Sequence, residues 1–390
     1  MDAMDIVINA IPLLSRLTGV GNCIYHTARA LLSEDRSNRY TFYYSTFSGR
    51  LVSPAYPEDA APDAGVGVLQ AAKGFLDRHH GVRALARCCA ETWHGIAART
   101  RSFDLAYEPN YIPLPFRARR NVTTVHDLSF HVHPEWHPAD RIAYFSKRFR
   151  RRILTSDVIT ADSAFTRDEL LDLLRIDANR VRVVHLGYDR SVFHEQPPDE
   201  VARFRETHDL PERFILFVGS IEPRKNINRL LDAYAMLDDA VRREVKLVLA
   251  GFSGWRNADV MRRLDAMKDD VTFLGYLDVA DLGLCYAAAT VFAYPSLYEG
   301  FGLPPLEALA CGCPAVVSDI PPLREVCGDA ARFVAPDDAE SIADGLQKVL
   351  SDNDLRRELS ARGLTRAAQF SWEKTAREML AIFEELHVRT

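Results

Sequence analysis

Short apolar runs alternate along the chain with longer segments in which apolar residues recur every three or four positions. A short run that is apolar on both faces is typical of a buried strand in a parallel sheet, and the longer spacing is typical of a helix packed against it. The pattern predicts strands at residues 6–10, 41–45, 105–108, 122–126, 158–161 and 181–184, and again at 214–218, 246–250, 271–274, 291–294 and 315–317. Strands that alternate with helices in this way predict the α/β class.

The two series of strands indicate two domains. A chain of 390 residues exceeds the usual size of a single core. Residues 194–200, which read His-Glu-Gln-Pro-Pro-Asp-Glu, are polar and rich in proline, as linkers are. We therefore place the domain boundary near residue 190. A last helix is expected to begin after Ser371, which is a suitable N-cap residue.

The composition is that of an ordinary globular protein, with 47% hydrophobic and 26% charged residues. No apolar stretch approaches the roughly 20 residues that a membrane-spanning helix needs. The first residues lack the basic start and the cleavage site of a secretory signal. Seven cysteines, two of them adjacent at Cys88 and Cys89, argue against a disulfide framework. These features predict a cytoplasmic protein.

The net charge of −6 conceals a basic region. Residues 73–152 contain fifteen Lys and Arg and seven Asp and Glu, a local balance of +8. Two segments of this region, 82–96 and 138–154, have the apolar spacing of amphipathic helices. A basic amphipathic helix can bind an anionic membrane surface, so peripheral membrane association is a hypothesis. Nucleic acid is a poorer partner, because no aromatic-basic binding motif accompanies the charge.

Two glutamates, Glu299 and Glu307, flank a glycine-rich loop and the start of a helix. Glycine allows a backbone to approach a ligand closely, and a helix N-terminus with unpaired amides attracts phosphate. Carboxylates beside such a cradle suit hydroxyl groups rather than the anion itself. The arrangement fits a sugar nucleotide. The candidate contacts of the loop are Gly300, Phe301, Gly302 and Leu303.

A second candidate site follows the predicted strand 214–218. Gly219 and Ser220 lead into a turn that carries the adjacent cations Arg224 and Lys225. Two neighbouring cations repel each other unless an anion lies between them. The turn therefore predicts a site for a phosphate or diphosphate.

Two features of the first domain point to its carboxyl sheet edge. Gly19 and Gly21 lie between the first strand and the first helix, but the third glycine of a dinucleotide-binding fingerprint is replaced by Ile24. This departure argues against a dehydrogenase. His126 ends the strand 122–126, and ligands of parallel sheets bind beyond the carboxyl ends of strands.

No metal is expected. His131 and His133 lie near further histidines, but Pro134 and Pro138 interrupt regular geometry, and zinc-motif spacing is absent.

The run 299–307 resembles the Glu-x7-Glu signature of the retaining GT-B glycosyltransferases of family GT4, and the resemblance extends over nearly the whole chain. It implies two Rossmann-like doubly wound domains facing across a cleft, an acceptor domain at 1–190 and a nucleotide-sugar domain at 191–370. A helix at 371–390 would cross back to the first domain.

The same resemblance implies a role for each candidate residue. Glu299 would contact the donor hexose and Glu307 the ribose, while Arg224 and Lys225 would neutralise the diphosphate. His126 would touch the sugar. Glycines 19 and 21 would help to close on the diphosphate, and the backbone of Gly275 and Tyr276 would read the base. Retention would proceed by same-face displacement without a metal or other cofactor.

Residues 124–130, together with the prolines that follow, look most like polysaccharide mannosyltransferases, which favours GDP-mannose as donor. GDP-deoxyhexoses and UDP-glucose stay open, as does the linkage. The expected acceptor is a lipid-linked surface glycan. Two other hypotheses are a sugar-nucleotide epimerase of the same fold and a catalytically silent nucleotide-sugar-binding partner.

Overall fold

A computed structural model describes residues 3–14, 19–52 and 96–388. The strands within these ranges are β1 (Asp5–Asn9), β2 (Arg39–Tyr43), β3 (Phe47–Ser48), β4 (Ser102–Glu108), β5 (Arg117–Val125), β6 (Val158–Ala161), β7 (Val181–Val183), β8 (Phe214–Val218), β9 (Lys246–Ala250), β10 (Val271–Gly275), β11 (Val291–Tyr294), β12 (Ala315–Ser318) and β13 (Ala331–Val334).

The α-helices of the same ranges are α1 (Gly19–Glu34), α2 (Ser129–Val132), α3 (Ala139–Ile153), α4 (Ala164–Leu174), α5 (Pro198–Thr207), α6 (Ile227–Ala235), α7 (Asp239–Glu244), α8 (Ala258–Ala266), α9 (Val279–Ala288), α10 (Leu303–Ala310), α11 (Pro321–Cys327), α12 (Ala339–Ser351), α13 (Asn353–Ala367) and α14 (Trp372–Val388). None of these described helices is long and apolar enough to cross a bilayer.

The chain forms two compact units. The first contains the described residues up to Leu128, Tyr144–Gly187, and the chain from Trp372 onward; the second contains Ser129–Ala143 and Tyr188–Ser371. The segment Ser129–Ala143, which the sequence alone places within the range 1–190, belongs to the second unit because it contacts the loop after β9. There the indole N–H of Trp255 donates to the carbonyl of Trp136 at 2.7 Å, and Arg141 lies over the Trp255 ring.

The first unit is built on a seven-stranded sheet in the order β3-β2-β1-β4-β5-β6-β7. All neighbours are parallel except β2 and β3. Helix α14 packs on this unit through the Trp372 ring, which stacks on His26 with centroids 5.4 Å apart, and through the Arg377–Glu34 ion pair. The strand order reverses between β1 and β4, which creates a topological switch point at their carboxyl ends.

The second unit is built on a six-stranded parallel sheet in the order β10-β9-β8-β11-β12-β13. Its central strand β8 is buried at every position, as a strand covered on both faces must be. The order reverses between β8 and β11, so the switch point of this sheet lies between the loops that follow these two strands.

All eleven strands predicted from the sequence overlap observed ones. Strands β3 and β13 were not predicted. The predicted helix 138–154 is confirmed as α3 and the last predicted helix as α14, whereas the predicted helix 82–96 lies outside the described residues apart from its last residue.

Candidate active site

The loops at the switch point of the second sheet are joined directly. The loop after β8 contains a 3₁₀ turn, Pro223–Lys225, and the amide of Leu297 in the loop after β11 donates to the carbonyl of Arg224 at 2.8 Å. Asn226 follows the turn in the left-handed conformation, with φ of 61°. Its side-chain amide donates to the carbonyls of Pro295 (2.9 Å) and Pro336 (2.6 Å). The two loops therefore form one fixed edge.

Four charged side chains form an ion cluster on this edge: Glu222, Arg224, Lys225 and Glu299. One oxygen of Glu299 lies 2.7 Å from an Arg224 nitrogen, and its other oxygen lies 2.6 Å from Lys225 Nζ. Arg224 Nε also pairs with Glu222 at 2.7 Å. Glu222, Lys225 and Glu299 are buried. The sequence predicts an anion between the two adjacent cations, and in this structure that anion is the Glu299 carboxylate.

The ion cluster has a strong electrostatic effect on Glu299. Burial alone would raise the pKa of this carboxyl, but the charges of Arg224 and Lys225 outweigh burial and lower the pKa to about 2. Burial and the neighbouring Arg224 lower the pKa of Lys225. Lys225 also donates to the hydroxyl of Tyr294, a fully buried residue at the end of β11, and lies over its ring at 4.7 Å.

Two glycines allow the close approach of backbone at this edge. Gly251, after β9, has φ of +142°, and a Cβ there would lie 2.1 Å from the carbonyl oxygen of Gly219. Gly302 has φ of +116°, and its Cβ would meet Leu323 at 2.6 Å. A side chain at position 251 would force the two backbones apart, and one at position 302 would be strained by the positive φ and would displace the Leu323 side chain. Ser220, next to Gly219, is partly buried.

Glu307 has a different environment from Glu299. It lies on α10, which begins at Leu303 after Gly302, and its carboxylate accepts a hydrogen bond from the Tyr286 hydroxyl at 3.0 Å. Burial raises the pKa of Glu307 to about 7. Gly300 and Phe301 of the connecting loop are buried, and the Phe301 ring packs edge-on against Phe370.

The next candidate residues, Gly275 and Tyr276, follow β10 in the same sheet. Gly275 has φ of +71° with open space around the position of a Cβ. The Tyr276 ring stacks on Phe252 with centroids 4.5 Å apart and is 38% exposed. An exposed aromatic face beside a glycine is suited to a planar ligand group.

His126 follows β5 in the first unit and is buried. Its Nδ1 lies 2.7 Å from Asp162, and its Nε2 lies 2.9 Å from the carbonyl oxygen of Pro109. Burial would lower the pKa of His126, but Asp162 and the Pro109 carbonyl raise it above the ordinary value. Because both ring nitrogens face acceptors, these contacts favour the doubly protonated ring. A donor sugar could bond to a ring nitrogen only in exchange for one of these contacts.

Gly19 and Gly21 lie in the first turn of α1, the first of them exposed and the second buried. They belong to the first unit with His126, whereas the other candidate residues belong to the second unit.

Of the candidate residues, the structure brings Arg224, Lys225 and Glu299 into direct contact. Five residues that sequence reasoning missed complete these sites: Asp162, Glu222, Asn226, Tyr286 and Tyr294. Only Asn226 and Glu222 had a local signal, since they border the Arg-Lys pair. Within the described residues, no group of three or more His, Cys, Asp or Glu is arranged to hold a metal ion.

Comparison with known proteins identifies the family. Residues 17–192 match the family described as Glycosyltransferase Family 4, and residues 198–366 match Glycosyl transferases group 1. The O-antigen chain mannosyltransferase B of Escherichia coli is 37% identical over 281 residues, which cover 71% of this chain and 73% of that protein. The serotype-specific mannosyltransferase WbdA of Escherichia coli is 33% identical over 268 residues, 66% of this chain but only 32% of WbdA.

Solved structures agree on the fold. Sucrose-phosphate synthase from Thermosynechococcus elongatus has a TM-score of 0.69 and 21% identity, with 99% of this chain and 100% of that chain covered. Anabaena HepE in complex with UDP and glucose has a TM-score of 0.69 and 17% identity, with 98% and 100% covered. With its two Rossmann-like sheets, the chain has the GT-B fold and belongs to the glycosyltransferases that combine a Family 4 domain with a group 1 domain.

Proposed function

We propose that the protein transfers mannose from GDP-mannose, with retention at the anomeric carbon, to a hydroxyl of a lipid-linked surface polysaccharide or oligosaccharide. The observation that carries this proposal is the pair Arg224 and Lys225, held with Glu299 at the switch point of the second sheet. A sugar nucleotide presents a diphosphate and a hexose side by side, which are the groups that such cations and such a carboxylate bind.

In this proposal each charged group has one task. Arg224 and Lys225 stabilise the negative charge that develops on the leaving diphosphate, and a donor phosphate oxygen accepts the proton of the acceptor hydroxyl. Glu299 accepts hydrogen bonds from the hexose hydroxyls, and His126 orients the sugar. The proposed mechanism needs no metal, because the two cations carry the leaving-group charge.

The choice of mannose rests on relatives whose names identify them as mannosyltransferases, among them O-antigen chain mannosyltransferase B and WbdA. The first of these names, which refers to an O-antigen chain, supports a surface glycan as acceptor. GDP-deoxyhexoses and UDP-glucose would use the same groups of the site, so donor identity needs a direct test.

A panel of nucleotide sugars, measured by saturation-transfer NMR with free nucleotide followed in the same samples, tests the proposal. We expect selective binding of GDP-mannose and slow nucleotide release without a glycal, unaffected by EDTA. Preference for a UDP-sugar would overturn mannose but not the enzyme class. Release of UDP together with a glycal would indicate an epimerase, and binding without turnover in the presence of acceptor would indicate a silent partner.

Glu307 should make donor binding depend on pH. Its pKa of about 7 lies above the usual value of 4.5, so the carboxylate that accepts ribose hydroxyls forms only as the pH rises through 7. We expect the donor KM to fall between pH 6 and pH 8. Glu307→Gln should raise KM about 10-fold at pH 8, as expected for a lost charged hydrogen bond, and should remove the pH dependence. Initial rates across this range measure both effects.

Glu358→Gln is the matched control, because Glu358 lies on α13 in the same unit and pairs only with Arg362 among the contacts described. It should keep the wild-type KM and its pH dependence. A pH profile unchanged in Glu307→Gln would exclude Glu307 as the ribose acceptor.

The second proposed partner is an anionic membrane surface. Helix α3 buries only Phe149 and Ile153, and Lys147, Arg150 and Arg151 are exposed. Each basic residue near an anionic bilayer contributes about 1 kcal/mol. We expect the protein to pellet with anionic vesicles at low salt, and the triple reversal of these three charges to Glu to weaken binding by more than about 100-fold.

Reversal of Arg203, Arg262 and Arg357 on the second unit is the matched control, since it changes the net charge by the same amount. Equal losses in the two triple variants would show that net charge, rather than α3, governs binding. Wild-type protein that stays in the supernatant at low salt would exclude the membrane proposal.

A further inference from the structure

The switch point of the first sheet holds a buried polar pair that has no role in the mechanism proposed above. Asn9 is the last residue of β1 and Glu108 is the last residue of β4. The two strands are paired, with Ile8 opposite Tyr107, so the two side chains lie at the same end of the sheet. The side-chain nitrogen of Asn9 lies 3.0 Å from one oxygen of Glu108 and 2.9 Å from the other. The two residues are 7% and 3% exposed.

Glu108 also closes a loop. The amide of Leu114 donates to the Glu108 carboxyl at 3.2 Å, so residues 109–113 are held between the end of β4 and this bond. The amide of Tyr111 donates to the carbonyl of Thr124 on β5 at 2.9 Å. Tyr111 has φ of 59°, a conformation that a tyrosine adopts only when its surroundings impose it. The pair at the switch point therefore fixes a loop of strained backbone.

The loop fixes His126 in turn. The Pro109 carbonyl, one residue after Glu108, accepts from Nε2 of His126, and the Tyr111 ring lies edge-on to the imidazole with centroids 5.4 Å apart. Asp162 holds the other ring nitrogen. Of these three contacts of the imidazole, two come from the loop that Glu108 closes.

Closing a loop with a buried carboxyl group costs free energy, because the ionisable group loses its hydration. Burial raises the pKa of Glu108 to about 8, and an apolar pair of similar size could fill the same space without that cost. An apolar pair could not accept the Leu114 amide, however, and would remove the bond that joins the end of the loop to β4.

We propose that Glu108, braced by Asn9, is a positioning residue that holds the loop 109–113 so that the Pro109 carbonyl and the Tyr111 ring fix the orientation of His126. The consequence for catalysis rests on the proposed function, in which His126 orients the donor sugar. The positioning itself can be measured without any substrate.

The test uses the full-length protein with ¹⁵N-labelled histidine, and His126→Gln identifies the His126 signals. In wild-type protein at pH 6.5 we expect a larger share of the doubly protonated ring than an ordinary histidine shows, because the pKa of His126 is raised. Glu108→Ala should move the Nε2 signal toward that of a neutral ring, although Asp162 and Asp127, whose charges raise the pKa of His126, are unaltered. Glu108→Gln keeps one side-chain oxygen that can accept from the Leu114 amide, although its NH2 group cannot accept from Asn9, and it should keep the His126 signals close to those of the wild type.

Tyr44→Phe is the matched control. The Tyr44 hydroxyl accepts from the amide of Val52 at 2.6 Å in the same unit, so its loss also leaves a buried amide unpaired, but away from the loop 109–113. It should leave His126 unchanged. If Glu108→Ala does not fold, Asn9→Ala supplies a second test: it removes both bonds from Asn9 to the Glu108 carboxyl while the Leu114 bond stays, so it should move the Nε2 signal in the same direction but less far; it also removes the acceptor of the Ile11 amide.

Kinetics provide the second measurement. Glu108→Ala should lower kcat about 100-fold, as misplacement by about 1 Å does, with the donor KM within about twofold and with recovery in Glu108→Gln. Unchanged His126 signals in Glu108→Ala, or equal changes in Tyr44→Phe, would overturn the proposal. If no variant, wild type included, transfers sugar, the proposed function fails, and the NMR result still decides the positioning.

Discussion

Replacing Lys225 with Met is expected to reduce kcat/KM for sugar transfer by about 10³-fold, the effect of removing one preorganised group that stabilises developing charge. Lys225 is buried beside Arg224 and is held by Glu299 and Tyr294, so its ammonium group is fixed before a donor arrives. Methionine fills the space of the aliphatic stem but carries no charge. Initial rates with saturating acceptor measure the loss. The loss should appear mainly in kcat, because the negative charge that Lys225 stabilises grows in the transition state.

Lys246→Met is the matched control. Lys246 lies at the first residue of β9, at the amino edge of the same sheet, and pairs with Asp270 at 2.9 Å. The substitution removes the same charge from the same unit without touching the ion cluster, so transfer should keep its wild-type rate. Comparable rates for Lys225→Met and Lys246→Met would contradict the assignment of the leaving-group site.

The positions of the strands could be predicted from the sequence wherever a strand is apolar on both faces. β8 and β11 were predicted with their observed ends because every position is buried. β13 was missed because it lies at the edge of the sheet, where exposed Arg332 interrupts its apolar run. β3 contains two residues and is defined only by its antiparallel pairing with β2, which no local pattern encodes.

The site was predictable only where its chemistry is local. The adjacent cations Arg224 and Lys225 predict a bound anion. The sequence does not show that this anion is the carboxylate of Glu299, some 75 residues later in the chain. That contact depends on β8 and β11 being neighbours, which is a property of the strand order. Tyr294 was missed for the same reason, since a tyrosine that ends an apolar strand has the pattern of a core residue.

For His126, the sequence predicts the position of the residue but not the contacts of its side chain. Its place at the carboxyl edge follows from the strand pattern, but the contacts of its ring do not. Asp162 and Pro109 come from the ends of two other strands, β6 and β4, and together they occupy both nitrogens. The contact between His126 and a donor sugar stays a prediction, and the structure adds that such a contact must compete with these bonds.

Glu299→Ala is expected to lower the free energy of unfolding by about 3–5 kcal/mol, the usual effect of removing one partner from a buried ion pair. The reason is that Glu299 separates two cations. Without it Arg224 keeps its ion pair with Glu222, whereas buried Lys225 keeps, among its described hydrogen bonds, the one to the neutral Tyr294 hydroxyl. Urea denaturation at pH 7 measures the change. Because the pKa of Glu299 is about 2, its contribution is fully present above the unfolded value of 4.5 and is lost as the pH falls from there toward 2.

The same substitution should turn the ion cluster into a stronger anion site. Pyrophosphate must displace the Glu299 carboxylate in the wild type but meets no such competitor in Glu299→Ala, so at one pyrophosphate concentration it should stabilise the variant more than the wild type. At 100 times the dissociation constant of the variant, the total stabilisation should be about 2.7 kcal/mol. Glu358→Ala, which removes an exposed glutamate from the same unit, should show neither the loss of stability nor the gain from pyrophosphate. Equal stabilisation of wild type and Glu299→Ala would mean that the diphosphate and the carboxylate do not share the two cations, and Glu299 could then bind the hexose without first leaving Arg224 and Lys225.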